Sequence, residues 1–313
     1  MANYKTDHAF TGNLKGGALE PTFSGALSFM RRRFTRDLTG ADVAIWGVPF
    51  DCATSNRPGA RFGPQAIRRA SAILDGDPQY PSSRDPFETL ATIDWGDCVI
   101  DHARPQAAAD AIQNEAETLL SSGAHLITLG GDHAITLPLL RAHVKSHGPL
   151  ALVQFDAHQD TWDAGPNGFS HGSFVKEAVR EGLIDVSHSI QMGIRTIAPE
   201  TCGVDIVDAY RCHELGISGM VEAIRLRVGS KPAYLTVDID VLDPAFAPGT
   251  GTPVSGGLTS AQLLMTLNKI MDLDWRGMDI VEVAPAYDHA DITAIAASTV
   301  VQHYLQGLAG KQK

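Results

Sequence analysis

Eight short apolar runs recur along the chain, and each is apolar on both faces of an extended strand. They are Val43–Val48, Leu90–Trp95, Leu126–Leu129, Ala151–Phe155, Ser189–Ile194, Val204–Val207, Ala233–Val237 and Gly277–Val283. A strand with one wet face alternates apolar and polar residues. A continuous, often β-branched run instead marks a strand of a parallel sheet covered by helices on both sides. Helical patterns fill the intervals. Gln106–Leu120 and Ile135–Lys145 carry apolar residues at 3–4 spacing, and Pro64–Ala72 opens with a proline suited to a first turn. Ser173–Glu181, Val221–Val228, Ser260–Leu273 and Ile292–Leu308 continue the series, with Thr259 or Ser260 as a cap. The alternation predicts a three-layer α/β/α fold with a mostly parallel, eight-stranded sheet. No repeat or linker-like break divides it. Residues 41–313 are therefore expected to form one domain, preceded by an N-terminal arm, residues 1–40.

Ligands bind such sheets at the carboxyl ends of the strands, and three of these ends carry metal-type donors. The first, HLITLGGDH, passes two glycines and Asp132 to reach His133. A lone histidine after a strand is more often structural. The second, ALVQFDAHQD, delivers Asp156, His158 and Asp160 at i, i+2 and i+4, a spacing that shares one face of an extended chain. The third, AYLTVDIDVLDP, delivers Asp238 and Asp240, whereas Asp243 before Pro244 reads as a turn residue. Four aspartates and two histidines with no cysteine favour Mn(II) or a similar divalent ion over a structural zinc. Six ligands exceed what one open catalytic ion needs. With bridging carboxylates they suit two ions about 3.5–4 Å apart, sharing a water whose pKa falls toward about 7. That chemistry is hydrolysis at a hindered electrophilic carbon or phosphorus.

Charge and cysteine usage narrow the partners. Lys and Arg number 25 against 36 Asp and Glu, a formal net charge of −11 that argues against nucleic acid or an anionic membrane surface. The basic run Arg31, Arg32, Arg33 and Arg36 then reads as a solvated patch or a subunit contact. No apolar run is long enough to span a bilayer, and the first residues lack the apolar core of a signal peptide. Cys52, Cys98, Cys202 and Cys212 are scattered without CxxC spacing, as expected of reduced thiols in the cytoplasm. Several acids sit inside otherwise apolar segments, where each needs a partner.

The motifs together resemble the ureohydrolase family of arginases, agmatinases and their relatives. The resemblance rests on GGDH at 130–133, FDAHQD at 155–160 and TVDIDVLDPAFAPGTGTP at 236–253. Further segments resemble the agmatinase branch: GVPFDCATSNRPGARFGPQAIR at 47–68, MGIRT at 192–196 and VEVAPAYDHADIT at 281–293. The resemblance implies an arginase-like fold and two Mn(II) per subunit. One ion would be held by His133, Asp156, Asp160 and Asp238, the other by Asp156, His158, Asp238 and Asp240, so that Asp156 and Asp238 bridge. It implies Glu282 as the carboxylate that grips a substrate guanidinium, and His171 as a loop histidine that shuttles protons. Asp160 would pass a proton to the departing nitrogen. Asp288 and Thr293 would support the site from behind. The implied assembly is a homo-oligomer, a trimer or a hexamer.

Substrate choice falls to the loops. Gln159 stands where Thr or Ser is frequent in the family, and Ser170 where an acid often precedes the histidine. The loop TWDAGPNGFSH at 161–171 lacks the polar pattern that reads an α-amino acid. The expected substrate is a small cationic guanidino compound, with agmatine yielding putrescine and urea. The alternatives are guanidinobutyrase or guanidinopropionase activity, for which Arg57 and Arg61 are candidate donors to a carboxylate tail, and a non-catalytic regulatory homologue. The segment TSNRPGARFGP at 54–64 suits equally a site mouth and a rigid surface loop.

Overall fold

Successive residues of a strand point to opposite faces of its sheet, and here both faces are buried. The computed structural model describes residues 7–18, 20–74, 78–165 and 169–311. Among these, nine strands form one sheet: β1 (Arg33–Phe34), β2 (Val43–Val48), β3 (Thr92–Asp97), β4 (His125–Gly130), β5 (Ala151–Phe155), β6 (Ile190–Ile194), β7 (Asp205–Asp208), β8 (Ala233–Asp238) and β9 (Trp275–Val281). Their spatial order is β1-β3-β2-β4-β9-β8-β5-β6-β7, with every neighbouring pair parallel. The helices are α1 (His8–Thr11), α2 (Gly63–Ser71), α3 (Ala108–Ser121), α4 (Thr136–His147), α5 (Phe174–Arg180), α6 (Ala209–Val228), α7 (Ser260–Ile270) and α8 (Ile292–Lys311).

Strand residues divide cleanly between two cores. Val43 and Ile45 of β2 join one with Ile67 of α2, Ile224 of α6, Leu263 of α7 and Val301 of α8. Ala44, Trp46 and Val48 of the same strand join the other with Ile112 of α3, Leu139 of α4 and Phe174 of α5. The result is the expected three-layer α/β/α sandwich. Thr259 caps α7 in a reciprocal capping box with Gln262.

The sheet has nine strands rather than the expected eight. The addition is β1, which pairs Arg33 with Ile93 and Phe34 with Asp94 at one edge. Two residues are too few to show a period. Of the basic run beside it, expected to be a solvated patch or a subunit contact, Arg31 and Arg32 are buried rather than solvated, whereas Arg36 is exposed. Backbone carbonyls accept from both guanidinium groups. Arg32 donates to Gly16 O at 2.6 Å and Met30 O at 2.9 Å and lies 3.9 Å above the Phe87 ring, while Arg31 donates to Pro21 O at 2.9 Å. Helix α6 is also longer than the predicted Val221–Val228, because Gly216 breaks its sequence pattern with φ 61° inside the helix.

The order of strands positions the site. β4 and β5 are consecutive in this numbering, yet β9 and β8 lie between them. The winding reverses there, and a crevice opens at the carboxyl ends of four adjacent strands.

Candidate active site

Each of the four strands ends in a different local device. After β4 the backbone passes so close to Phe50 that a Cβ at Gly131 would lie 1.9 Å from Phe50 O. Only glycine fits, and the approach is fixed by bonds from Gly131 N to Val48 O at 2.9 Å and from Asp132 N to Phe50 O at 2.7 Å. Glu282 follows β9 with φ 64°, its N–H bound to Gly131 O at 2.8 Å. A left-handed conformation in a non-glycine residue is uncommon, and here it is shared with Asp160 at φ 51°.

The spacings on β5 and β8 bring their donors together, although not as extended chain. Beyond Phe155 the backbone bends, and Asp160 reaches its neighbours through its positive φ. Asp238 and Asp240 converge through a 3-10 turn at Ile239–Val241, with Asp240 N donating to Asp238 Oδ1 at 2.8 Å. Asp243 is the turn residue expected, accepting from Ala245 N at 3.0 Å and Gly256 N at 2.7 Å.

All six predicted donors meet in the crevice. His133 Nδ1 lies 3.0 Å from Asp156 Oδ2, 3.0 Å from Asp160 Oδ2 and 3.3 Å from Asp238 Oδ2. His158 Nδ1 lies 3.0 Å from Asp240 Oδ2 and 3.4 Å from Asp156 Oδ1. Two donor groups with metal-binding spacing result, His133–Asp156–Asp238 and Asp156–His158–Asp240, sharing Asp156.

The buried Nδ1 of His133 makes no hydrogen bond although three carboxylates face it. Its tautomer explains this. Thr236 Oγ1 donates to Asp279 Oδ1 at 2.5 Å, so its lone pair accepts the Nε2 proton of His133 at 2.8 Å. In the neutral ring Nδ1 then carries a lone pair among acceptors, a place that attracts a proton or a metal cation. Asp279 is itself held by Thr136 Oγ1 at 2.9 Å and Tyr234 OH at 2.8 Å.

The ionisable groups record the same pull for positive charge. Burial opposes a charge on both histidines of the donor groups. The surrounding carboxylates outweigh it, raising His133 well above its ordinary value and His158 to about 12. Burial, then the charges of Asp240 and Asp156, hold Asp238 well above the usual carboxylate range. Burial and Asp156 push Asp160 up to about 6. Burial would also raise Asp156, but the adjacent imidazoles of His133 and His158 prevail and hold it well below the usual range.

Glu282 and His171 form a second unit beside the donors. Glu282 Oε1 accepts from His133 N at 2.9 Å and pairs with His171 Nδ1 at 3.0 Å, while its Oε2 is buried without a hydrogen bond. Burial disfavours a charged His171, but Glu282 outweighs it and pushes the imidazole up to about 9. Asp132 behind them is pushed up to about 8 by burial and by Glu282. Asp288 and Thr293 act at the start of α8. Asp288 accepts from Thr293 N and Ala294 N, and Thr293 Oγ1 accepts from Gly249 N at 2.8 Å. They thus anchor the segment whose Gly251 runs past Glu282 Oε2.

A pocket of about 310 Å³ opens onto this centre, lined by Ser55, His133, His158, Asp160, Trp162, Ser170, His171, Gly172, Asp238 and Thr252. The segment 54–64 therefore reaches the site mouth through Ser55. Arg57 and Arg61 do not line the pocket. Arg61 pairs with Asp51, and Arg57 stacks 5.1 Å from the Tyr287 ring centre. Residues 166–168 of the predicted substrate loop lie outside the described residues.

A sequence model of the arginase family matches residues 41–306. The chain belongs to the arginase family. An agmatinase of Chromobacterium violaceum is 50% identical over 289 residues, 92% of this chain and 90% of that protein. The crystal structure of a hypothetical agmatinase from Burkholderia thailandensis superposes with a TM-score of 0.96 at 49% identity, covering 98% of each chain. Proclavaminate amidino hydrolase from Streptomyces clavuligerus superposes with a TM-score of 0.89 at 40% identity, covering 93% of this chain and 99% of that one. Of the remaining site residues, Thr236 stands at the head of the motif at 236–253 as one more strand residue, Asp279 belongs to no motif but shows as an acid inside an apolar strand, and Ser55 and Trp162 fall within the segments 54–64 and 161–171.

Proposed function

We propose that this arginase-family hydrolase cleaves the guanidino group of agmatine, giving putrescine and urea, with two Mn(II) per subunit. His133, Asp156, Asp160 and Asp238 would hold one ion, and Asp156, His158, Asp238 and Asp240 the other. Bound there, such a pair supplies Lewis acidity and a water acidic enough to deprotonate near neutral pH. The observation that carries the reading is the buried, unpartnered Glu282 Oε2 next to a cluster of donors that attracts cations. A carboxylate in that state is suited to a planar guanidinium, which offers it paired N–H groups. Gripping the guanidinium there sets its central carbon for attack. Asp160 then carries a proton to the departing nitrogen, and His171 helps protonate the leaving amine.

The pocket wall favours a cationic tail. Among its lining residues are no Lys or Arg to meet a carboxylate, and Trp162 offers an aromatic face to an ammonium group. We take residues 41–313 as the single catalytic domain, with residues 1–40 as an arm. The four free cysteines fit a cytoplasmic setting, and the working form is inferred to be a homo-oligomer, trimer or hexamer. Urea release from agmatine, arginine, 4-guanidinobutyrate and 3-guanidinopropionate with Mn(II) tests the reading. Agmatine is expected to turn over fastest. Fast turnover of another compound with agmatine inert would refute the substrate. No urea from any of them, with fewer than two ions bound per subunit, would mark a non-catalytic homologue.

A further inference from the structure

The segment 51–59 is tied down at three points around one residue. Asp132 Oδ2 accepts from Ala53 N at 2.9 Å, Asp51 Oδ2 from Gly59 N at 2.8 Å, and Gly251 O from Asn56 Nδ2 at 2.9 Å. Between these ties, Ser55 places its backbone N–H 3.0 Å and its hydroxyl 2.8 Å from His171 Nε2. The opposite ring nitrogen faces Glu282 at 3.0 Å. A backbone N–H can only donate, so Nε2 must present a lone pair to it. In the neutral ring the proton then belongs on Nδ1, on the Glu282 side. A neutral imidazole that gives up that proton needs another at Nε2, or it would be left an anion. The Ser55 hydroxyl is in contact with Nε2, and Ser55 itself is exposed to solvent.

We propose that Ser55 is a positioning residue for His171, holding the ring with Nδ1–H toward Glu282 and linking Nε2 to bulk water. In the proton sequence, Nδ1–H passes to the leaving amine, Nε2 takes the hydroxyl proton of Ser55, and water restores that proton. The role rests on the guanidino-hydrolase reading, and the two are separable. Urea release by the unmodified protein tests that reading, and comparison of variants tests this one.

The decisive experiment is a double-mutant cycle on the Mn-loaded full chain, with kcat and KM measured for agmatine. Ser55→Ala is expected to lower kcat about 10-fold with KM within about twofold, a fraction of what general acid–base groups contribute. Ser55→Thr, which keeps the hydroxyl, is expected to recover kcat to within about threefold of the unmodified protein. In a His171→Ala background, Ser55→Ala is expected to change kcat by less than about twofold, since Ser55 acts through the histidine. An equal loss in that background would overturn the proposal, as would an unchanged kcat in the single variant. A raised KM at constant kcat would make Ser55 a substrate contact instead. Failure of Thr to recover the rate, or loss of bound Mn, would make it merely structural.

Discussion

The Thr236 hydroxyl sits between two groups that need it in opposite senses: it donates to Asp279 and accepts from His133. That polarity leaves the His133 lone pair pointing at Asp156, Asp160 and Asp238. Thr236→Val keeps the shape and removes the orientation, so it is expected to weaken metal binding about 10–100-fold, as loss of a partner behind a metal ligand does. Mn(II) titration measures this, and an unchanged affinity would show that the tautomer is set otherwise. Asp156→Ala should act more severely, abolishing urea release and metal loading together, because Asp156 belongs to both donor groups. These two residues also mark what sequence can reveal. Asp156 announces itself through its spacing from His158 and Asp160. Thr236 in AYLTVD looks like one more β-branched strand residue, and its partner Asp279 lies 43 positions away. Contacts across adjacent parallel strands leave no local period.

Helix α2 is fastened to β3 by one buried ion pair. Arg68 donates from Nε and Nη2 to the two oxygens of Asp94 at 2.8 and 3.0 Å, and from Nη1 to Asp97 at 2.6 Å. Asp94 also accepts from Phe29 N at 2.7 Å, which draws the N-terminal arm to the same point. Arg68→Met leaves a buried carboxylate without its cation and is expected to destabilise the fold by about 3–5 kcal/mol. Arg68→Met with Asp94→Asn should be less destabilised than the single losses summed, because the partners are in contact. Chemical denaturation of the four proteins tests both statements, and additive losses would show the pair is not coupled. At this scale the strands were legible because burial on both faces writes continuous apolar runs. The exceptions follow physical causes. β1 is too short to carry a pattern, and the first half of α6 is hidden by the glycines at 216 and 219. Arg31 and Arg32 defeated a charge-based reading because backbone carbonyls, which sequence does not display, accept their protons.

Over the whole molecule, Asp132, Asp156, Asp160, Asp238, Asp240, Asp279 and Glu282 are buried in or beside one crevice, and that sets a pH dependence. Six groups around the crevice take up protons more readily in the folded protein than in the unfolded chain: Asp160 at about 6, Asp132 at about 8, His171 at about 9 and His158 at about 12, with His133 and Asp238 well above their ordinary values. For each, stability is fully present below the ordinary value and is lost as pH rises through the raised one. Asp156 is shifted the other way with its transition below the usual carboxylate range, and the buried His125 and His143, lowered to about 3 and about 4, add stability with rising pH only up to their ordinary value of 6.5. Where the folded state holds more protons, stability falls with increasing pH. Protein stripped with a chelator is therefore expected to lose thermal stability from about neutral pH up to about pH 9. Of the six groups, His133, His158, Asp160 and Asp238 are the donors that divalent ions would occupy in place of protons, and more tightly as pH rises. Mn-loaded protein should then show a much flatter profile, and the Mn-induced rise in melting temperature should widen between pH 6 and pH 9. Melting curves at several pH values, with chelator and with excess Mn(II), decide the matter. A Mn-induced shift that narrows with pH would mean that protons and metal do not compete for this cluster.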